Sequence, residues 1–221
     1  LMKLRETIMK LVFLIAACCS VLAVALICIF LFMNGVPAIF KIGPLKMLGD
    51  GALGARTAFL SRPYADDPST CGIPVFTQET MDEMIGYANA HGMQAAVHTI
   101  GDACLDRVLS AYEKALAENP REDHRHGIVH CQITRADQLE KIAKMHLHVY
   151  AQSIFLDYDN HIVEERVGKE LASTSYSWKT LMNNGVSVSN GTDCPVELPD
   201  ALACMQCACL LYTSDAADDK A

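Results

Sequence analysis

The chain has 221 residues, 51% of them hydrophobic and 20% charged, enough apolar material for one domain with a real core. Its formal charge of −8 comes without any cluster of Lys and Arg, which excludes a nucleic-acid surface. The 10 cysteines are scattered, mostly through apolar segments, which excludes a small disulfide scaffold and favours a reducing compartment.

Residues 1–10 form a basic flank, with Lys3, Arg5 and Lys10 against Glu6. An uncharged apolar run of 23 residues follows, from Leu11 to Met33. As a helix it would span roughly 34 Å, against about 30 Å for a bilayer core, so residues 11–33 are predicted to be a transmembrane helix. The basic flank would stay cytoplasmic. Two other readings stand beside this one: a buried core helix, and a segment joined from another gene. The expected location is a membrane if the run is a genuine span, and the cytoplasm otherwise.

Asn34-Gly35-Val36-Pro37 reads as a break. Beyond it, a short apolar strand, a polar residue at its end and an amphipathic helix recur. Leu45 to Leu48 is predicted to be a strand, followed by Gly49-Asp50-Gly51 and a long loop rich in turn residues. Thr77 to Ala90 is a helix with Met81, Met84, Ile85 and Ala88 inward and Gly92 as its stop. Met93 to Val97 is a strand ending at His98, after which Asp102 is expected to cap a helix burying Leu105, Val108, Leu109 and Tyr112. Gly127 to Val129 leads to His130, and Arg135 to Met145 is the next helix. His148 to Ala151 ends near Gln152. A helix from Tyr176 to Asn183 stops at Gly185, and Val186 to Ser189 leads to Asp193.

Strands alternating with helices imply parallel βαβ units. The strand ends at His98, His130, Gln152 and Asp193 are 32, 22 and 41 residues apart, room for a crossover helix each time. With no glycine-rich phosphate turn after a strand, a barrel is preferred over a dinucleotide-binding sheet. In a barrel the C-terminal strand ends converge on one mouth. A lone histidine there is most often structural. Three polar strand ends, His98, His130 and Asp193, instead suggest two neutral imidazoles and a carboxylate around a divalent ion such as zinc. Such an ion lowers the pKa of water towards about 7, and an aspartate beside that water can move its proton. Cys204, Cys207 and Cys209 have a metal-like spacing, but no second cluster completes it.

The segment from Gly43 to Ala58, GPLKMLGDGALGARTA, resembles a conserved segment of the amidohydrolase superfamily, in family 3 and its N-substituted formamide deformylase-like branch. His98-Thr99-Ile100-Gly101-Asp102, Arg125-His126-Gly127-Ile128-Val129-His130 and Thr192-Asp193-Cys194-Pro195-Val196-Glu197 resemble three more motifs of that family, in order, over about residues 41–205. The resemblance implies an α/β fold: a partial (β/α)8 TIM barrel, strands 4–8 only, over residues 41–209 behind the N-terminal apolar helix. It implies a metal-dependent hydrolase of non-peptide carbon–nitrogen bonds, with a small amide or formamide as substrate and one or two ions, zinc foremost.

Residue by residue, the resemblance implies Lys46, His98, His130 and Asp193 as metal ligands, Lys46 in carboxylated form. Asp193 is also the general base. Asp50, Arg56 and Asp102 would hold the mouth loops or the substrate, or act structurally, and His126 would support the site with Arg125 near it. Two departures matter. Val129 stands where the family has Glu, and the first-strand His-x-His has no counterpart upstream of Lys46. The chain is therefore expected to be a fragment, with residues 210–221 a non-native tail. The rival reading is a non-catalytic, membrane-anchored half-barrel that binds a partner chain.

Overall fold

The structure is a computed structural model that describes residues 45–211, together with Phe13, residues 21–24, Leu26 and Ile29. Two compact units divide at Gly43 and Pro44. Most of the apolar run 11–33 lies outside the described residues, as does the tail beyond Leu211. Among the described residues no helix is long and apolar enough to cross a membrane.

The second unit is a parallel sheet of five strands: β1 (Leu45–Leu48), β2 (Ala95–Thr99), β3 (Gly127–His130), β4 (His148–Ala151) and β5 (Val188–Asn190). Their spatial order equals their sequence order, and each neighbouring pair is parallel. A doubly wound sheet reverses its order at a switch point, whereas a barrel wall never does. The topology is that of five consecutive strands of a (β/α)8 wall.

Helices supply every crossover. Between β1 and β2 lies α1 (Gln78–Ala90), started by Thr77, whose hydroxyl accepts the Thr80 amide at 3.3 Å. It ends before Gly92, which takes a left-handed φ of 72°. The 17-residue α2 (Asp102–Glu118) returns the chain to β3, and α3 (Ala136–Lys144) returns it to β4. After β4 come a 3-10 turn, Ser153–Phe155, then α4 (Leu156–Asp159), α5 (Val163–Ala172) and α6 (Trp178–Asn183). Beyond β5 the last element among the described residues is α7 (Ala201–Leu211).

Alternation along the strands divides the two faces. Met47, Val97, Ile128 and Val149 point into the helix layer and are buried against Leu105, Leu109, Ile142 and Leu181. Lys46, Ala96, Val129, Tyr150 and Ser189 share the opposite face, the one that lines a barrel's interior.

One expected cap is different. Gly101, not Asp102, is the N-cap of α2, and no side chain caps it. The Asp102 carboxylate instead accepts the Ser61 amide at 2.9 Å and the Arg135 guanidinium at 2.7 Å. It therefore ties the β1–α1 loop and the start of α3 to α2.

Candidate active site at the strand ends

The loop after β1 is held down from below. Asp50 is fully buried, and its carboxylate accepts backbone N–H bonds from Phe59 at 2.9 Å, Ile100 at 3.0 Å and Gly101 at 2.7 Å. Burial pushes this carboxyl above its ordinary range, and the three N–H donors pull it back. Gly101 permits the clamp: a Cβ there would fall 2.0 Å from the Phe59 carbonyl. The result is that Gly51 sits over the end of β2, where its carbonyl meets His98 Nε2 at 3.1 Å. That bond places the ring proton on Nε2 and leaves the lone pair on Nδ1.

His130 reaches the same place by a backbone device. Strict alternation would send it with Ile128 into the helix layer. Its φ of 74° leaves the extended region, and the ring turns to meet His98 edge-on, centroids 4.4 Å apart. The single tryptophan steadies this turn: Trp178 Nε1 donates to the carbonyls of His130 and Cys131, each at 3.0 Å. Asp193 also has a left-handed backbone, φ 53°, and its Oδ2 stands 3.8 Å from His130 Nε2. Left-handed backbone at a non-glycine residue costs of order 1 kcal/mol or more, and is tolerated where position matters.

Burial pushes the His130 imidazole down to about 3, with His98 and Lys46 acting in the same direction. The ring is therefore neutral at pH 7, the form that binds metal. Its Nδ1 is buried without a hydrogen-bond partner, and so is Oε1 of Gln152 beside it. Pairing these two atoms would hold the proton on Nδ1 and turn the Nε2 lone pair towards Asp193. Two ligands of one zinc ion lie about 3.4 Å apart in tetrahedral geometry, so the 3.8 Å from Nε2 to Asp193 is close to that span. The donor types and the Nε2 lone pair facing Asp193 fit a divalent cation. Among the described residues, no group of three or more His, Cys, Asp or Glu side chains is already drawn together around one point.

Lys46 and Asp193 line a cavity of about 370 Å³ along the interior face, with Val129, Tyr150 and Gln152. Val129, which stands where the resembled family has Glu, presents a carbon wall to it.

The remaining candidates are not drawn to the histidines. Arg56 pairs with Asp66 at 2.6 Å, an aspartate that also binds Arg166, so it braces the loop after β1. Asp102 is the brace described above. Arg125 is exposed and pairs with Asp123 at 2.8 Å. His126 precedes β3 and so lies at the far end of the strand from His130, where its Nδ1 accepts the Ala95 amide at 3.0 Å. The expectation that Arg125 and His126 support the mouth is corrected by this placement: four residues of strand separate the two ends.

Gln152 was legible only as a strand end, and Gln132, Phe155 and Trp178 carried no signal in the sequence. Phe155 stacks on His130 with centroids 5.9 Å apart. Phe155 and Trp178 come from segments distant in sequence from the histidines, and Gln132, two residues after His130, takes its partner Asp159 from such a segment. Cys204, Cys207 and Cys209 lie on α7 as free thiols.

A model of the Amidohydrolase family matches residues 33–216. The protein YtcJ of Bacillus subtilis, a provisionally named amidohydrolase, is 39% identical over 174 residues, 79% of this chain and 32% of its own. Crystal structures of two uncharacterized metal-dependent hydrolases superpose on it, each with a TM-score of 0.66. The one from Pyrococcus horikoshii is 35% identical and covers 74% of this chain and 32% of its own. The one from Pyrococcus furiosus is 32% identical and covers 80% and 38%. The chain thus spans about a third of the length of these relatives. With five βα-ordered strands and a family match along most of its length, this chain belongs to the amidohydrolase family.

Proposed function

We propose that this chain carries the strand-end part of a metal-dependent hydrolase site that cleaves non-peptide carbon–nitrogen bonds, with small amides or formamides as substrates. One observation carries the reading: the rings of His98 and His130 meet edge-on at the strand ends, and Nε2 of His130, on a ring that burial keeps neutral, stands 3.8 Å from Asp193 Oδ2. The likeness to hydrolases described as metal-dependent supports the cation.

His98 Nδ1, His130 Nε2 and Asp193 would hold a divalent ion, zinc by the chemistry of the donors, with Lys46 added in carboxylated form. The bound ion supplies Lewis acidity and lowers the pKa of water towards about 7. Asp193 takes the proton from the attacking water and returns it to the leaving nitrogen as the carbon–nitrogen bond breaks. The Gly51 carbonyl holds the His98 ring, and Gln152, once its Oε1 accepts from His130 Nδ1, would orient the second ring.

The test is metal content by mass spectrometry on the full chain, with Trp178 fluorescence as a second readout. Trp178 donates to the His130 carbonyl, so binding at that histidine changes its surroundings. Zinc is expected at one or two equivalents, with a fluorescence change, and both are expected to vanish in the His98→Ala/His130→Ala double variant. An unaltered zinc content in that variant, or none in the parent chain, refutes the site.

A further inference from the structure

We infer that a second cavity beside the strand-end histidines receives the distal group of the substrate, and that Gln132 and Asp159 make it prefer groups that donate hydrogen bonds, primary amines foremost. This rests on the hydrolase reading above and names its substrate class more narrowly.

The cavity measures about 200 Å³. That is below the roughly 300–1,000 Å³ of a pocket that encloses a whole ligand, so it suits one arm of a substrate. Its place is set by the same loops that carry the site. Gln132 follows His130 by two residues, Val196 follows Asp193 by three, and Phe155, which lines the cavity, also stacks on the His130 ring. A substrate whose carbonyl lies at the histidines has this cavity as the neighbouring space for its substituent.

Carbon makes one side of it, through Leu53, Ile100, Phe155 and Val196. The other side holds Gln132, Tyr158, Asp159 and Glu197, and none of the lining residues is basic. Gln132 is 2% exposed, and its Nε2 donates to Asp159 Oδ2 at 3.0 Å. The Tyr176 hydroxyl donates to the same oxygen at 2.8 Å. A carboxylate only accepts, so the amide nitrogen of Gln132 must face it and the amide oxygen must turn away. That oxygen is buried and has no partner among the described residues. A buried acceptor left unpaired is costly, and a ligand N–H relieves it. Because both donors converge on Oδ2, Asp159 keeps Oδ1 as a further acceptor at the cavity wall. The polar side thus holds two carboxylates and an unpaired amide oxygen with no cation among the lining residues to balance them. It complements an ammonium or other donor group and repels a carboxylate.

Three N-substituted formamides of equal chain length, ending in an ammonium, a methyl or a carboxylate group, test this by calorimetric titration into the zinc-loaded full chain. The ammonium probe is expected to bind about tenfold or more tightly than the methyl probe, with the carboxylate probe weakest. In Asp159→Asn, which keeps the shape, the gap is expected to close to about threefold or less. Should that variant fail to fold, the ranking of the three probes on the unaltered chain still decides. Equal affinities, a methyl or carboxylate preference, or no binding at all overturns the inference. Turnover is followed on the same samples. Turnover without the ranking removes the amine preference and leaves the hydrolase reading standing. The ranking without turnover supports the pocket and counts against the activity.

Discussion

His126 illustrates a buried imidazole whose needs are met by the protein alone. Its Nδ1 accepts the Ala95 amide and its Nε2 lies 3.1 Å from Asn89 Oδ1, while Tyr112 stacks on the ring at 5.1 Å. Burial pushes it down to about 4, with His124 and Arg121 adding to the effect. In the unfolded chain it titrates near 6.5, so the unfolded state binds more protons between those values. The stability it contributes is complete above pH 6.5 and is lost as the pH falls towards 4, up to about 3 kcal/mol. In urea titrations, His126→Gln is expected to flatten that fall relative to the parent chain. An identical pH slope in the two proteins would show that His126 is not buried neutral. His130 contrasts with it at the same scale: equally buried, but with a nitrogen left unpaired. From sequence the two histidines of Arg125–His130 looked like parts of one site. They separate because they stand at opposite ends of one strand, and only one end is a mouth.

Among the elements, the loops are held by two aspartates. Asp50 fastens the loop after β1 to the start of α2, and Asp102 fastens that loop to α3 through Arg135. Asp50→Ala would leave three backbone N–H groups of Phe59, Ile100 and Gly101 without acceptors, at a cost of about 3 kcal/mol or more. A lower urea midpoint is expected, with faster amide exchange confined at first to those three residues. Uniformly faster exchange across the sheet would mean that Asp50 is not a local clamp. The alternating strands and helices up to β4 were readable because each has one apolar face and a stop such as Gly92. Of the helices after β4, α6 was readable through its stop at Gly185, and the others were not. The four-residue α4 is too short to show a period, Gly168 interrupts α5 with a φ of 76°, and α7 is apolar on all sides.

At the level of the whole second unit, one continuous core runs from Met47 to Val186 on the helix side of the sheet. Ile128 lies at its centre and is fully buried. Ile128→Ala is expected to cost about 2–5 kcal/mol. Because the core is unbroken, Trp178 fluorescence and far-ultraviolet circular dichroism should shift together as one transition. Separate midpoints for the two probes would show that the sheet and the site region unfold independently. The amino-acid sequence by itself determined the βα alternation, the parallel sheet and the polar strand ends, because period and turn chemistry are local properties. Only the tertiary structure decided which polar residues meet. The left-handed turn at His130, the clamp of Asp50 across two loops and the Gln132–Asp159–Tyr176 cluster all depend on contacts between segments distant in sequence. No local pattern encodes such contacts, since each forms only after the strands have paired and their loops have been brought to one end.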